Sequence, residues 1–272
     1  MARRLVIASQ KGGVGKTTVA LNLAVALAER GRRMLLVDLD PQGAIGLSLA
    51  RGDAELAGLA ELLAGVGRAA DSVVTTKLAG LSLLPRGRLD ATDVDSFEQE
   101  VARPGALQAA LAQCETSVEI VVIDTPSGLG RVTTAALAVA DFALLAFQTE
   151  SLSLRSVGQA LNVIEHIQAT RNPKLRLVGI LPTLVERERP GTQGVLAEIW
   201  SGFPDALETV VPRTEAFARA SALGVPVGFL AGGAGGPESR RFDLLADEIQ
   251  SRMNRLAGME RVHEAQPARQ LL

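Results

Sequence analysis

Short, nearly uninterrupted apolar runs recur along the chain, at residues 5–8, 34–37, 81–84, 120–123, 142–147 and 177–181. A strand with one wet face alternates apolar and polar residues. Runs without a polar face are buried on both sides, as in a parallel sheet. Between these runs the spacing changes. Leu154, Val157, Leu161 and Ile164 share one face of a predicted helix over 151–169, and helical patterns also cover 19–29, 107–114 and 239–255. Strands alternating with helices predict an α/β fold, a doubly wound, mostly parallel sheet flanked by helices. Residues 44–70 suggest one or two short helices, 86–97 an acidic polar loop, and the glycine-rich run 232–236 a linker. One domain is expected over 1–257, followed by a mobile tail at 258–272.

The first run and the first helix are joined by Ser9-Gln10-Lys11-Gly12-Gly13-Val14-Gly15-Lys16-Thr17-Thr18. A glycine loop between a strand and a helix is the context that binds phosphate, because backbone N–H groups can turn inward where a side chain would block them. The helix dipole adds positive potential at the same place. There Lys16 would reach the β- and γ-phosphates of a nucleotide, and the Thr17 hydroxyl would bind magnesium. The strict spacing G-x-x-x-x-G-K-[ST] is not met, since Gln10 occupies the first glycine position and Lys11 is added to the loop. The plainer reading is a glycine turn with two solvated lysines. It leaves the preceding strand and the Lys-Thr pair without a role.

The run at 34–37 delivers Asp38-Leu39-Asp40-Pro41-Gln42-Gly43 at its carboxyl end. Ligands of open parallel sheets bind there. Taken alone, the stretch reads equally well as an ordinary turn rich in Asp, Pro and Gly. The run at 120–123 ends in Asp124-Thr125-Pro126-Ser127-Gly128. A strand-end carboxylate in that position can hold magnesium, often through water.

Together these segments resemble the motifs of the ParA/MinD family of deviant Walker A P-loop ATPases, in particular its Soj-like ParA members, over about residues 4–255. The resemblance implies ATP and magnesium as cofactors. It places the nucleotide on Lys11, Gly12, Gly13, Val14, Gly15, Lys16, Thr17 and Thr18, and the metal near Thr17, Asp38 and Asp124. It assigns catalysis to Lys11, Lys16 and Asp40, with Asp40 orienting the attacking water and Lys11 crossing a dimer interface to the partner's phosphates. Gln148-Thr149-Glu150 matches a segment close to the dimer face. Thr209-Val210-Val211-Pro212-Arg213 matches a late strand whose Pro212 and Arg213 backbone lies near the adenine. Ser127 stands where relatives carry a second proline in a nucleotide-sensing switch.

Composition narrows the function further. The net charge of −2 does not announce nucleic acid, although a local basic patch remains possible. Tyrosine is absent and other aromatics are scarce, which argues against a stacking platform for single strands. No apolar run approaches the ~20 residues of a spanning helix, and no signal peptide is visible. The lone Cys114 fits a reducing cytoplasm and excludes an internal disulfide, while His166 and His263 are too isolated to form a metal site.

The resemblance therefore implies a cytoplasmic, nucleoid-associated ATPase. It would dimerise on ATP, bind double-stranded DNA without regard to sequence, and be stimulated by a ParB-like partner while segregating or positioning a cargo. Arg187, Arg189, Arg219, Arg240 and Arg241 are the candidate DNA contacts. Glu186, Glu188 and Glu215 lie among them, as on an ordinary solvated surface. The chain leaves no room for an N-terminal helix-turn-helix. The alternative is a MinD-type membrane-surface ATPase, which needs a basic amphipathic C-terminal helix. Here Pro267 interrupts the end and acids mix with bases. A nitrogenase-type iron–sulfur reductase is excluded because it needs two cysteines.

Overall fold

A computed structural model describes residues 2–43, 45–46, 56–150, 153–186, 188–230 and 235–264. Strands β1 (Arg3–Ala8), β2 (Met34–Asp38), β3 (Val74–Thr75), β4 (Leu81–Leu84), β5 (Ile120–Asp124), β6 (Phe142–Gln148) and β7 (Arg176–Thr183) form one sheet in the order β3-β4-β2-β5-β1-β6-β7. All neighbours pair in parallel except β3 with β4. Every apolar run read from the sequence is a strand of this sheet. The cause is visible in β1. Leu5 and Ile7 enter one core while Val6 and Ala8 enter another on the opposite face. Both faces are covered, so neither needs polar residues.

Helix α1 (Lys16–Glu29) lies in the first of these cores and packs against the last helix, which runs from Pro237 to Glu264. Val19, Leu23, Ala24 and Leu27 are fully buried. At the C-terminal end of α1, Arg30 donates to Asp243 (2.7 Å) and Asp247 (2.8 Å) of the last helix. The other face carries helices α2 (Leu59–Leu63), α4 (Val94–Ala102), α5 (Ala106–Cys114), α6 (Arg131–Val139) and α7 (Ser153–Thr170), with the short α3 (Ala69–Ser72) beside α2 and α5. Helices α8 (Thr192–Gly202) and α9 (Glu215–Leu223) precede the last helix, α10.

Several boundaries differ from the sequence reading. Residues 94–97 begin α4 instead of ending a loop, because Phe97 and Val101, one turn apart, are buried against the core amid polar neighbours. Helix α10 continues to Glu264, beyond the end expected near 255. The late strand expected at 209–211 does not form as a strand. The segment instead runs along the outer edge of β7, with backbone bonds Leu207 N–H to Ile180 O (2.9 Å), Val211 N–H to Pro182 O (2.9 Å) and Val185 N–H to Val211 O (3.0 Å). Residues 232–234 of the glycine-rich run, the preceding residue 231 and 265–272 of the tail lie outside the described residues.

At the amino end of the sheet, Arg4 is buried. Its Nε and Nη2 grip both oxygens of Glu115 at 2.6 and 3.1 Å, and Nη1 donates to Gln108 and to the Val139 carbonyl. This ties β1 to α5 and α6. Replacing one partner of such a pair strands the other charge, so Arg4→Met should destabilise the fold by about 3 kcal/mol. That loss would read as a lowered melting temperature with nucleotide affinity unchanged, since the pair lies at the opposite end of the strands from the glycine loop.

Candidate functional site

The loop after β1 owes its path to glycine. Gly13 and Gly15 have φ of 72° and 85°, a region that other residues enter only with strain. Gly15 immediately precedes α1, and no side chain caps the first turn, so its N–H groups point into the loop. Gly12 lies against Ser127, since a Cβ there would sit 3.1 Å from the Ser127 hydroxyl oxygen. The departure from a second proline thus falls in direct contact with the loop.

The two lysines occupy different environments. Lys16 is 6% exposed and donates to Ser9 Oγ at 3.0 Å, while Ser9 donates to the Lys11 carbonyl at 2.7 Å. Burial lowers the Lys16 ammonium below its ordinary pKa, and Asp124 and Asp40 resist that shift. The Lys11 side chain, 41% exposed, turns to Glu150 Oε2 at 4.0 Å. The family resemblance assigns the segment of Glu150 to a dimer face. Its pairing with Lys11 could be read only from the structure.

The carboxylates gather because β2 and β5 pair in register, with Asp38 opposite Asp124. Asp38 accepts the N–H groups of Asp40 (3.2 Å) and Ile45 (3.1 Å). Burial nevertheless pushes its carboxyl up to about 7, with the Asp40 charge adding to the shift. Asp124 is wholly buried, and among the described residues neither of its oxygens has a hydrogen-bond partner of normal geometry. Its carboxyl is pushed up to about 8, first by burial and then by Asp38, with the Thr17 hydroxyl and Lys16 offsetting part. Asp40 is partly exposed, and its Oδ1 accepts the Gln42 N–H at 2.9 Å. A buried carboxylate without donors costs free energy unless something positive meets it. The donor set, a hydroxyl and strand-end carboxylates beside a glycine cradle, fits magnesium on a bound phosphate.

The remaining candidates lie apart from this centre. Arg213 pairs with Glu186 (3.1 Å). Arg189 reaches both Glu186 (3.6 Å) and Glu150 (3.8 Å), so a chain of ion pairs runs from Lys11 to the Pro212-Arg213 turn. Arg219 and Arg240 are exposed and Arg241 is half-buried. Arg187 lies outside the described residues. Arg241 also lines a groove of about 560 Å³ along α10, together with Arg252 and Arg255. Arg252 is committed to Glu248 (3.0 Å) and to backbone carbonyls. No helix among the described residues is long and apolar enough to cross a membrane.

A phosphate-type loop at the carboxyl end of a central parallel strand, with aspartates ending the adjacent β5 and the next strand, β2, makes this a P-loop NTPase fold. A family model described as an AAA domain matches residues 2–177. The chromosome-partitioning ATPase Soj of Thermus thermophilus is 36% identical over 92% of this chain and 96% of its own length. The chromosome partitioning protein ParA of Caulobacter vibrioides is 34% identical over 83% and 86%. Among solved structures, the Pyrococcus furiosus cell division ATPase MinD superposes with a TM-score of 0.74 at 26% identity, covering 92% of this chain and 99% of that one. A Mycobacterium smegmatis protein described as cobyrinic acid a,c-diamide synthase, with bound ATP analogue and magnesium, gives 0.74 at 33% identity, covering 91% and 93%. The chain belongs to the ParA/MinD family of P-loop ATPases.

Proposed function

We propose that this chain is a ParA-type dimerisation switch that hydrolyses ATP to segregate or position DNA or another large cargo. The observation that carries this reading is the division of labour between the lysines. Lys16 is buried among carboxylates, where it can serve only its own subunit. Lys11 stands at the rim, held loosely by an acid it can leave. In the proposed complex the loop N–H groups and Lys16 hold the phosphates, and Thr17 and Asp124 hold magnesium, with Asp38 behind them. When bound there, magnesium would neutralise phosphate charge. Asp40 orients a water in line with the γ-phosphate. Lys11 of a second subunit supplies the positive charge that an arginine finger supplies elsewhere. Loss of the γ-phosphate removes what the crossing lysine grips, so hydrolysis opens the dimer. Pro212 and Arg213 are assigned to the adenine.

Duplex DNA is the proposed partner of the dimer, with a ParB-like protein accelerating hydrolysis and the nucleoid as the place of action. The ion pairs refine this surface. Arg189 and Arg213 are shared with Glu150 and Glu186, so exposed Arg219 and Arg240, with Arg241, offer the less encumbered charges. One subunit makes few phosphate contacts, whereas a dimer aligns two patches.

The experiment is binding of an arbitrary duplex by Asp40→Ala, with and without ATP, across a salt series. Affinity should appear with ATP and fall steeply with salt, at roughly −0.9 in log–log slope per phosphate neutralised. Replacing Arg219, Arg240 and Arg241 by Ala should flatten that slope while the dimer persists. ATP-independent or salt-insensitive binding would reject the DNA reading. Flotation with anionic liposomes would then favour the membrane-surface alternative.

A further inference from the structure

We propose that Arg86 is a positioning residue that fixes the turn carrying Asp40; the proposal rests on the catalytic reading of Asp40 given above. The topology brings the two together. β4 runs parallel to β2 with Leu84 beside Val37, so the segments leaving the two strands emerge side by side. Pro85-Arg86 therefore follows one strand where Leu39-Asp40 follows the other. The Arg86 Nη1 donates to the carbonyl of Pro41, the residue after Asp40. The rest of the side chain lies against Gly43, where a Cβ would sit 2.7 Å from Arg86 Cδ. Gly43 closes the turn, its φ at 64° and its N–H bonded to the Asp40 carbonyl at 2.9 Å. Arg86 thus touches the turn at both corners beyond Asp40.

Within the turn, Asp40 is held by its own backbone. Its N–H donates to Asp38, and its Oδ1 accepts from Gln42. The direction of its carboxylate therefore depends on where Gln42 and the flanking peptide units sit, and those are what Arg86 grips. An arginine suits this role, since its stem and Nε can lie against a glycine while a terminal N–H meets a carbonyl. Among the described residues, Arg86 makes no bond to the glycine loop. Its effect on the reaction is through Asp40 alone, where displacements of about 1 Å cost large factors in rate.

The test compares full-length Arg86→Met, Arg86→Lys and Asp40→Ala by single-turnover ATP hydrolysis, ATP titration, melting temperature and amide exchange of the nucleotide-free chain. Arg86→Met should slow turnover by about tenfold or more while ATP affinity stays within about twofold. Exchange at the Gln42 and Gly43 amides should accelerate without nucleotide. Arg86→Lys should recover part of the rate, since an ammonium can still donate to Pro41. The double variant Asp40→Ala/Arg86→Met should be no slower than Asp40→Ala alone. If Asp40→Ala hydrolyses ATP at the parental rate, the catalytic reading of Asp40 falls and this proposal with it. If Asp40→Ala is inactive while Arg86→Met keeps parental turnover and exchange, only the role of Arg86 is overturned. A fall in affinity and melting temperature matching the fall in rate would assign Arg86 to general support and also overturn the proposal.

Discussion

Lys16→Ala is expected to bind ATP at least about 100-fold more weakly than the parent chain, whereas Lys11→Ala should stay within about threefold and lose the ATP-induced dimer. The asymmetry follows from what surrounds each ammonium. Lys16 is the cation that Asp124 and Asp40 act on inside the site, and Asp38 lies on the adjoining strand end. Without it, a triphosphate would enter a pocket of carboxylates with its nearest fixed positive charge gone. Removing Lys11 leaves that interior untouched and costs the monomer only a loose, half-exposed pair with Glu150. Nucleotide titration paired with size-exclusion light scattering separates the two effects. A Lys11→Ala chain that still dimerises with ATP would remove the crossing role.

Asp124→Asn should produce opposite changes in two properties. The nucleotide-free fold should gain about 1–3 kcal/mol near pH 8, while the magnesium dependence of nucleotide affinity is lost. The native carboxyls of Asp38 and Asp124 hold protons up to about 7 and about 8, well above their ordinary values. From about pH 4 to pH 8 these two groups hold more protons in the folded chain than in the unfolded one, so their contribution to stability falls as pH rises. Asp124→Asn removes the larger of the two shifts. Melting curves in chelator from pH 5 to pH 8.5 should therefore show a declining parent and a flatter, more stable variant. A variant that melts below the parent at pH 8 would falsify the account of Asp124 as a charge awaiting a cation.

Much of the sheet was legible because strands buried on both faces leave an unmistakable apolar run, and β1, β2, β5 and β6 all do. The loop was legible because its chemistry is local: three glycines, two lysines and three hydroxyls within ten residues. The carboxylates were legible as strand ends, but their mutual approach was not, since it depends on the register that sets Asp38 opposite Asp124. The same limit hid Arg86. In sequence it opens a polar stretch, and only the pairing of β4 with β2 sets it beside Pro41. Helix α4 escaped because Phe97 and Val101 are a thin apolar stripe among acids, which propensity reads as loop. The segment at 209–211 has the β-branched composition of a strand, yet it forms isolated bonds to β7 and no ladder.

Those isolated bonds have a consequence for self-assembly. A bare parallel edge is a template for runaway polymerisation, because each added copy presents the same row of N–H and C=O groups to the next. Here the carboxyl half of β7 spends such groups at Ile180 and Pro182, and the segment just after it at Val185, on its own chain. At the other edge β3 is two residues long and reversed in direction, too short to seat a newcomer. Among the described residues, edge-to-edge growth is thus obstructed at β3 and along the carboxyl half of β7. In the proposed dimer, this leaves the loop face as the surface through which two copies would meet, where a phosphate would decide whether they stay.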